Sequence, residues 1–361
     1  MKILLIGPLP NPTTGVSLAN KVVYDGLKKR KNYRIDAINT SYNKFEEDLG
    51  AFSISKAWFF LKLNFFSYKI FRFDVVYITP GQTFFGVLKY ALFILLAKLL
   101  SKEIIIHVHG NYLGKEYHLL KGAKKKIFKA LVSTVSKGVV LSESLRSNML
   151  PFTNEENIYV LYNFVQDNNF INKHAFSKKL LDNELKIIFL SNLMEEKGIF
   201  DLLEALLILE KNNINYEAKI AGNIDAKHKE RVDKYFNELS NTKYLGVVYG
   251  KNKKDLLEWG NVFILPTYYI MEGQPISILE GMASGNLIVT TKHAGIPDIF
   301  TESENGFYVE KRNPQSIANT LIQVLENPEL SKRIRTNNLE IAKSKYKVHH
   351  FIDNFIDILE S

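Results

Sequence analysis

The sequence predicts an α/β protein made of two doubly wound domains, each a mostly parallel sheet with helices on both faces. Three observations carry this. Short apolar runs of strand length alternate with longer helical ones through both halves of the chain. The alternation stops at 166–184 (QDNNFINKHAFSKKLLDNE), which is polar, Asn-rich and aperiodic, and then restarts. At 361 residues the chain also exceeds what one hydrophobic core usually serves. The expected organisation is a domain over 1–165, a linker over 166–184, a second domain over 185–340 and a terminal segment over 341–361.

Taken in order, Ile3–Ile6 is the first strand. A loop with Pro8, Pro10, Pro12 and Gly15 follows it, then a helix over 16–29. "YRIDAINT" and "DVVYITP" are strands, "FFGVLKYALFILLAKLL" a helix, and "EIIIHVHG" a strand ending at Gly110. "KGVVLSESL" and "IYVLYNFV" complete the first series. After the linker come "LKIIFLSN", a helix over 198–211, "YEAKIAGN", a helix running to Leu239, "TKYLGVV", "VFILPT", "NLIVTT" and "GFYV". The terminal "VHHFIDNFIDIL" sets Val348, Phe351, Ile352, Phe355 and Leu359 on one helical face, which is expected to pack back on the first domain.

Composition bounds the chemistry. With 46% hydrophobic and 24% charged residues the chain is not generally disordered. The absence of Cys excludes disulfides, thiolate metal sites and a Cys nucleophile, and fits a reducing, cytoplasmic setting. A net charge of +9 suits a polyanion, an anionic membrane or a phosphorylated small molecule, and equally a Lys-rich solvated surface. The apolar run at the start is shorter than the roughly 7–15 residues of a secretory core, so it reads as a buried strand.

In open α/β sheets ligands meet the loops beyond the carboxyl ends of the strands. One such loop holds MEGQPISILEGMASG, where Glu272 and Glu280 bracket Gly-Gln-Pro-Ile-Ser-Ile-Leu. Pro275 suits a helix start, which puts Gln274, Pro275, Ile276 and Ser277 at a helix N-terminus, where unpaired amides favour an anion. Glu280 lies about a turn further on and can accept from hydroxyls. That spacing fits a phosphorylated, polyhydroxylated ligand. Taken alone, a helix cap at Glu272 and a solvated acid at Glu280 remain the simpler account.

Lys197 stands before Gly198 at a strand–helix junction, within reach of a phosphate over the sheet, or merely solvated. His107 and His109 share a face of one strand, with His109 at the carboxyl edge and His107 one step inside as a hydrogen-bonded core residue. No further ligand is nearby, so no metal site is read there. Thr13, Thr14 and Gly15 follow the first strand, but neither G-x-G-x-x-G nor a P-loop is present.

In this order the residues resemble the family 4 retaining glycosyltransferases of the GT-B fold, the glycosyl transferases group 1. The resemblance rests on Glu272-Gly273-Gln274-Pro275 through Glu280 and on Gly281-Met282-Ala283-Ser284-Gly285. Thr14-Gly15, His109-Gly110, Ser142-Glu143-Ser144, Asn163, Lys197-Gly198, Ala221-Gly222, Gly295-Ile296-Pro297 and Asn305-Gly306-Phe307 support it across nearly the whole chain. It implies two Rossmann-like domains facing across a cleft, a nucleotide-diphosphate sugar as donor (a UDP-sugar foremost) and no cofactor. It implies catalytic roles for Glu272, His109 and Lys197. Donor binding falls to Gly15, Asn192, Lys197, Gly222, Gly273, Gln274, Pro275, Ile276, Ser277 and Glu280, with Glu280 on the ribose hydroxyls. The implied acceptor is a glycan or lipid-linked saccharide in bacterial surface polysaccharide assembly. Two departures stand out: Ser191-Asn192-Leu193 lacks the Arg that members pair with the Lys, and the N-terminal loop has one Gly where members often have two.

Breaking the glycosidic C–O bond leaves negative charge on the diphosphate, and pre-oriented donors at Lys197, Asn192 and 274–277 can meet it. No Asp-x-Asp stands at a strand end, so metal independence is expected. Retention, by front-side attack, is what the resemblance implies. Two Lys-bearing apolar stretches, "SISKAWFFLKLNFFSYKIFRF" (with Lys56, Lys62, Lys69 and Arg72) and "KGAKKKIFKAL" (with Lys121, Lys124, Lys125, Lys126 and Lys129), suit an anionic membrane surface, at the inner face. They suit a core helix with solvated lysines as well. The 17-residue run at 84–100 carries Lys89 and Lys98 and is too short and too charged to span. A GT-B nucleotide-sugar epimerase is the alternative. Nucleic-acid binding is not expected, because the cations are not interleaved with a stacking platform.

Overall fold

The computed structural model describes residues 1–42 and 54–361, with 54–57 as helical backbone only, and the chain forms two compact units. The first unit comprises Met1–Asn163, Met271–Gln274 and His349–Ser361. Its sheet is built from β1 (Lys2–Gly7), β2 (Arg34–Asn39), β3 (Val75–Ile78), β4 (Glu103–Val108), β5 (Lys137–Val140) and β6 (Ile158–Val160). These lie in the order β2-β1-β3-β4-β5-β6, all parallel. Strands covered on both faces need continuous apolar runs, and Ile3, Leu4, Leu5 and Ile6 have no exposed surface.

The first helix, Gly15–Lys28, starts at a capping box: the Ser17 amide donates to Thr14 Oγ1 (3.2 Å) and the Thr14 amide to Ser17 Oγ (2.8 Å). The apolar run 84–100, expected as one helix, is two, Phe84–Leu88 and Ala91–Leu99. The break falls at Tyr90, whose ring is buried and whose hydroxyl lies 2.9 Å from Thr40 Oγ1. A continuous helix would compete with that tertiary hydrogen bond. The terminal helix, Val348–Glu360, packs within this unit: Phe355 meets the Tyr77 ring edge-on at 5.0 Å, and Arg30 pairs with Asp353 at 2.5 Å.

The second unit comprises Phe164–Ile270 and Pro275–Val348. Its strands are β7 (Lys186–Leu190), β8 (Glu217–Ala221), β9 (Thr242–Tyr244), β10 (Val262–Leu265), β11 (Leu287–Thr290) and β12 (Gly306–Tyr308). They form a parallel sheet in the order β12-β11-β10-β7-β8-β9. The stretch 166–184, read above as a linker, belongs to this unit and contains the helix Lys173–Leu180. Asn172 caps that helix by accepting from the Ala175 amide at 2.9 Å, and Phe176 packs with Ile171 and Leu339. So short and polar a helix leaves no readable periodicity. Among the described residues no helix is long and apolar enough to cross a membrane.

Candidate functional site

Each sheet reverses its strand order at one place, between β1 and β3 in the first unit and between β7 and β10 in the second. The loops leaving these strands are where an open α/β sheet offers room to a ligand. In the second unit they are 191–198 after β7 and the chain from Pro266 after β10, the two loops singled out from sequence.

Lys197 closes a 3₁₀ turn, Glu195–Lys197, and Gly198 follows at φ 79°. A Cβ on Gly198 would lie 2.5 Å from Pro266 O, so the turn can approach the β10 loop only through glycine. The Tyr268 amide donates to Glu196 O at 2.8 Å and fastens the two loops together. Lys197 Nζ sits 5.0 Å from the centre of the Tyr269 ring, and the Arg312 guanidinium 4.7 Å from that of Tyr268. His293 Nε2 lies 2.8 Å from Tyr269 O, and Lys311 Nζ is 3.1 Å from His293 Nδ1. Three cations therefore gather around one loop at the switch point. Asn192 is exposed on the β7 loop, and the Gly222 amide after β8 donates to Gly246 O.

The helix Ile276–Ala283 begins after Pro275 with no side-chain cap, so its first amides, from Ile276 and Ser277, are left for a ligand or water. Glu280, one turn in, is 3% exposed. Its Oε1 accepts from Lys253 Nζ at 2.6 Å and Asn169 Nδ2 at 2.9 Å. Both hydrogen bonds that this carboxylate makes among the described residues go to Oε1, which leaves Oε2 to accept from a ligand. Sequence reasoning missed both partners. Nothing local separates Lys253 from Lys251 or Lys254, and Asn169 sits in a stretch rich in asparagine.

The two acids of the motif belong to different units: Met271–Gln274 is part of the first, and the chain enters the second at Pro275. Glu272 is 8% exposed. Gln274 anchors the segment, its Nε2 donating to Leu141 O at 3.0 Å and its Oε1 accepting from the Asn163 amide at 2.6 Å. Its main-chain oxygen accepts from Asn163 Nδ2 at 2.8 Å. Those bonds hold the side chain that the sequence placed among donor-binding groups. Gly273 lies against the end of β4, where an added Cβ would be 3.0 Å from His109 O and 3.1 Å from Gly110 Cα. The structure thereby brings Glu272–Gly273 beside His109–Gly110.

His107 is fully buried, with Nδ1 2.7 Å from the Tyr77 hydroxyl, and its ring centre is 3.9 Å from that of His109. Burial holds His107 well below the usual imidazole range and pushes His109 down to about 3. Both rings are therefore neutral near pH 7, and each Nε2 is buried with no hydrogen-bond partner among the described residues. Gly15 is the exposed first residue of its helix, after β1. Among the described residues no three His, Asp or Glu side chains converge so as to hold a metal ion.

Residues 170–340 match the family model of glycosyl transferases group 1. An uncharacterized glycosyltransferase of Methanocaldococcus jannaschii is 28% identical over 220 residues, covering 58% of this chain and 55% of that protein. The poly(ribitol-phosphate) alpha-N-acetylglucosaminyltransferase of Staphylococcus aureus is 26% identical over 277 residues, covering 72% of this chain and 51% of that protein. The chain thus spans about half the length of these curated relatives. The Anabaena protein HepE, solved in complex with UDP, superposes with a TM-score of 0.76 at 16% identity over the whole of both chains, a likeness of fold. Residues 170–340 belong to the glycosyl transferases group 1 family, and the two six-stranded parallel α/β sheets of this chain are those of the GT-B fold.

Proposed function

We propose that this chain is a retaining glycosyltransferase that moves a sugar from a nucleotide-diphosphate sugar, foremost a UDP-sugar, to a glycan or lipid-linked saccharide in surface polysaccharide assembly. The observation that carries the reading is Glu280. It is a buried carboxylate fixed through one oxygen, with the other left to accept, one turn inside a helix whose first amides are uncapped. A ribose diol next to a diphosphate matches that pairing of acceptor and donors.

In this reading Glu280 takes the ribose hydroxyls, and the amides of Ile276 and Ser277 take diphosphate oxygens. Lys197 meets the charge that grows on the leaving diphosphate, and Arg312 is the cation we assign in place of the Arg absent at Asn192. These groups carry the electrostatic work, so transfer proceeds without a resident metal. In the first unit, His109 offers a neutral imidazole to a sugar hydroxyl, and Glu272 beside it stabilises the oxocarbenium-like carbon. The leaving phosphate accepts the acceptor's proton during front-side attack. The match at residues 170–340 supports glycosyl transfer, and a relative named for N-acetylglucosaminyl transfer to poly(ribitol phosphate) supports an acceptor in surface-polymer assembly.

The test is a panel of nucleotide sugars screened for thermal stabilisation, followed by transfer from the best donor to lipid-linked saccharides, with and without EDTA. The expected result is a nucleotide-sugar hit and an EDTA-insensitive product whose new linkage, by NMR, keeps the donor's anomeric configuration. No stabilisation by any nucleotide sugar would overturn the reading.

A further inference from the structure

We propose that the first unit docks on an anionic phospholipid bilayer through one apolar face, an inference that deepens the lipid-linked-acceptor reading and rests on it. Large side chains are thrust outward there: Phe65 is 80% exposed, Leu99 79% and Trp58 61%, with Leu61 and Phe71 exposed beside them. Single exposed apolar residues are ordinary, but a contiguous set marks a binding surface.

Contiguity follows from the packing. Helix Ala91–Leu99 exposes Leu92, Leu95 and Leu99, three and four residues apart, so they form one stripe. The 3₁₀ segment Asn64–Arg72, which carries Phe65 and Phe71, packs against that same helix, and helix Ile54–Leu63 packs against the segment. Lys89 Nζ lies 4.5 Å from the centre of the Phe60 ring and ties the start of the stripe to the Trp58 helix. Lys124 lies 5.7 and 5.8 Å from the Phe84 and Phe85 ring centres, bringing helix Gly122–Val132 to the same neighbourhood.

Charge decides the occupant. No Asp or Glu occurs in 54–72, 84–100 or 117–138, the stretches that build this face, and the acids that reach them from elsewhere are engaged, Asp36 by Lys69 and Glu116 by the Phe84 amide, both at 2.8 Å. Lys124, Lys126 and Lys129 are exposed on helix Gly122–Val132 around Ile127, itself exposed. A protein interface surrounds its apolar centre with a mixed polar rim. Outward aromatics and leucines among cations of one sign instead match headgroups that are all negative above acyl chains. Lysines stacked over rings keep their heads at the water side while the rings enter. Of the cations noted in the sequence, the Lys56 side chain lies outside the described residues.

The experiment is flotation of the full chain with vesicles of phosphatidylcholine alone or mixed with phosphatidylglycerol, using a Trp259→Phe background so that Trp58 alone reports. Wild type is expected to float only with phosphatidylglycerol present, with a blue shift of Trp58 emission. The Phe65→Ser/Leu99→Ser double variant should lose at least fivefold in binding. So should Lys124→Glu/Lys126→Glu, and both should bind UDP as wild type does. Equal flotation of wild type and variants, no flotation, or a self-associating wild type made monomeric by Phe65→Ser/Leu99→Ser would overturn the proposal. Failure to float with UDP binding intact would sink the docking face alone. Flotation with no nucleotide bound would sink the transferase reading alone, and with it the link from docking to a lipid-linked acceptor.

Discussion

Lys253 Nζ stands 2.6 Å from Glu280 Oε1, and Asn169 Nδ2 reaches the same oxygen from the other side of the chain sequence. The pair lies within the second unit, with Glu280 almost wholly buried and the Lys253 side chain 19% exposed. Two donors on one oxygen fix the plane of the carboxylate and so the direction of Oε2. Lys253→Met removes the charged donor and keeps much of the aliphatic bulk. A hydrogen bond to a charged group is worth about 1.5–3 kcal/mol, so UDP affinity by calorimetry should fall about tenfold or more. Binding of 2′-deoxy-UDP, which presents one hydroxyl fewer, should fall less. Equal losses for both ligands would mean that Lys253 does not act through the carboxylate.

The division of the motif between units gives its two acids separable effects. Glu280→Ala should weaken UDP binding and raise KM. Glu272→Ala, beside His109–Gly110 in the first unit, should leave UDP binding nearly unchanged and lower kcat about a hundredfold, the scale of losing one transition-state contact. Steady-state kinetics with calorimetry separates the two. If both variants changed KM and kcat alike, the separate roles would be lost.

Much of this was legible because parallel strands buried on both faces must be continuous apolar runs, as Ile3–Ile6 is. The inner strands of both sheets could therefore be marked, whereas the partly exposed edge strands Arg34–Asn39 and Thr242–Tyr244 are read from the alternation of strands and helices. The position of Lys197 in a loop after one strand and of Glu280 in the helix after another could be read too, since glycine and proline punctuate those junctions. What escaped depends on non-local partners. Tyr90 breaks the 84–100 run because of Thr40, fifty residues earlier. Lys253 matters because of Glu280, and Gln274 is committed to Leu141 and Asn163. No periodicity encodes such pairs.

Lys179 gives a stability prediction on the helix that carries Glu280. Its Nζ is buried and donates to Leu257 O (3.0 Å), Ser284 O (2.7 Å) and Asn286 Oδ1 (2.8 Å), so it ties the ends of two helices together. Burial, then the nearby Arg335 guanidinium, hold its ammonium well below the usual lysine range. Lys179→Met would leave Ser284 O and Asn286 Oδ1 unpaired and Leu257 O with Asn286 Nδ2 alone, and should cost about 3 kcal/mol. Chemical denaturation of the second unit's transition reads this. A loss under about 1 kcal/mol would show that water replaces the ammonium.

Asp201 sets opposing effects against each other at the start of helix Ile199–Lys211. A first-turn carboxylate is favoured by the helix dipole. Burial nevertheless wins, with Glu204 adding to it and Arg312 opposing, and raises Asp201 to about 6. Its Oδ2 is buried without a hydrogen-bond partner among the described residues. Because the folded value lies above the unfolded one, the native state holds the proton more tightly. Stability is then lost as pH rises from about 4 through 6. Asp201→Asn removes that loss. It should raise stability at pH 7.5 by about 1 kcal/mol, after discounting for a half-exposed group, or 2–4 °C in Tm. The gain should shrink toward zero near pH 4. Thermal unfolding of both proteins across that range is the check, and a gain independent of pH would assign the effect to packing instead of charge.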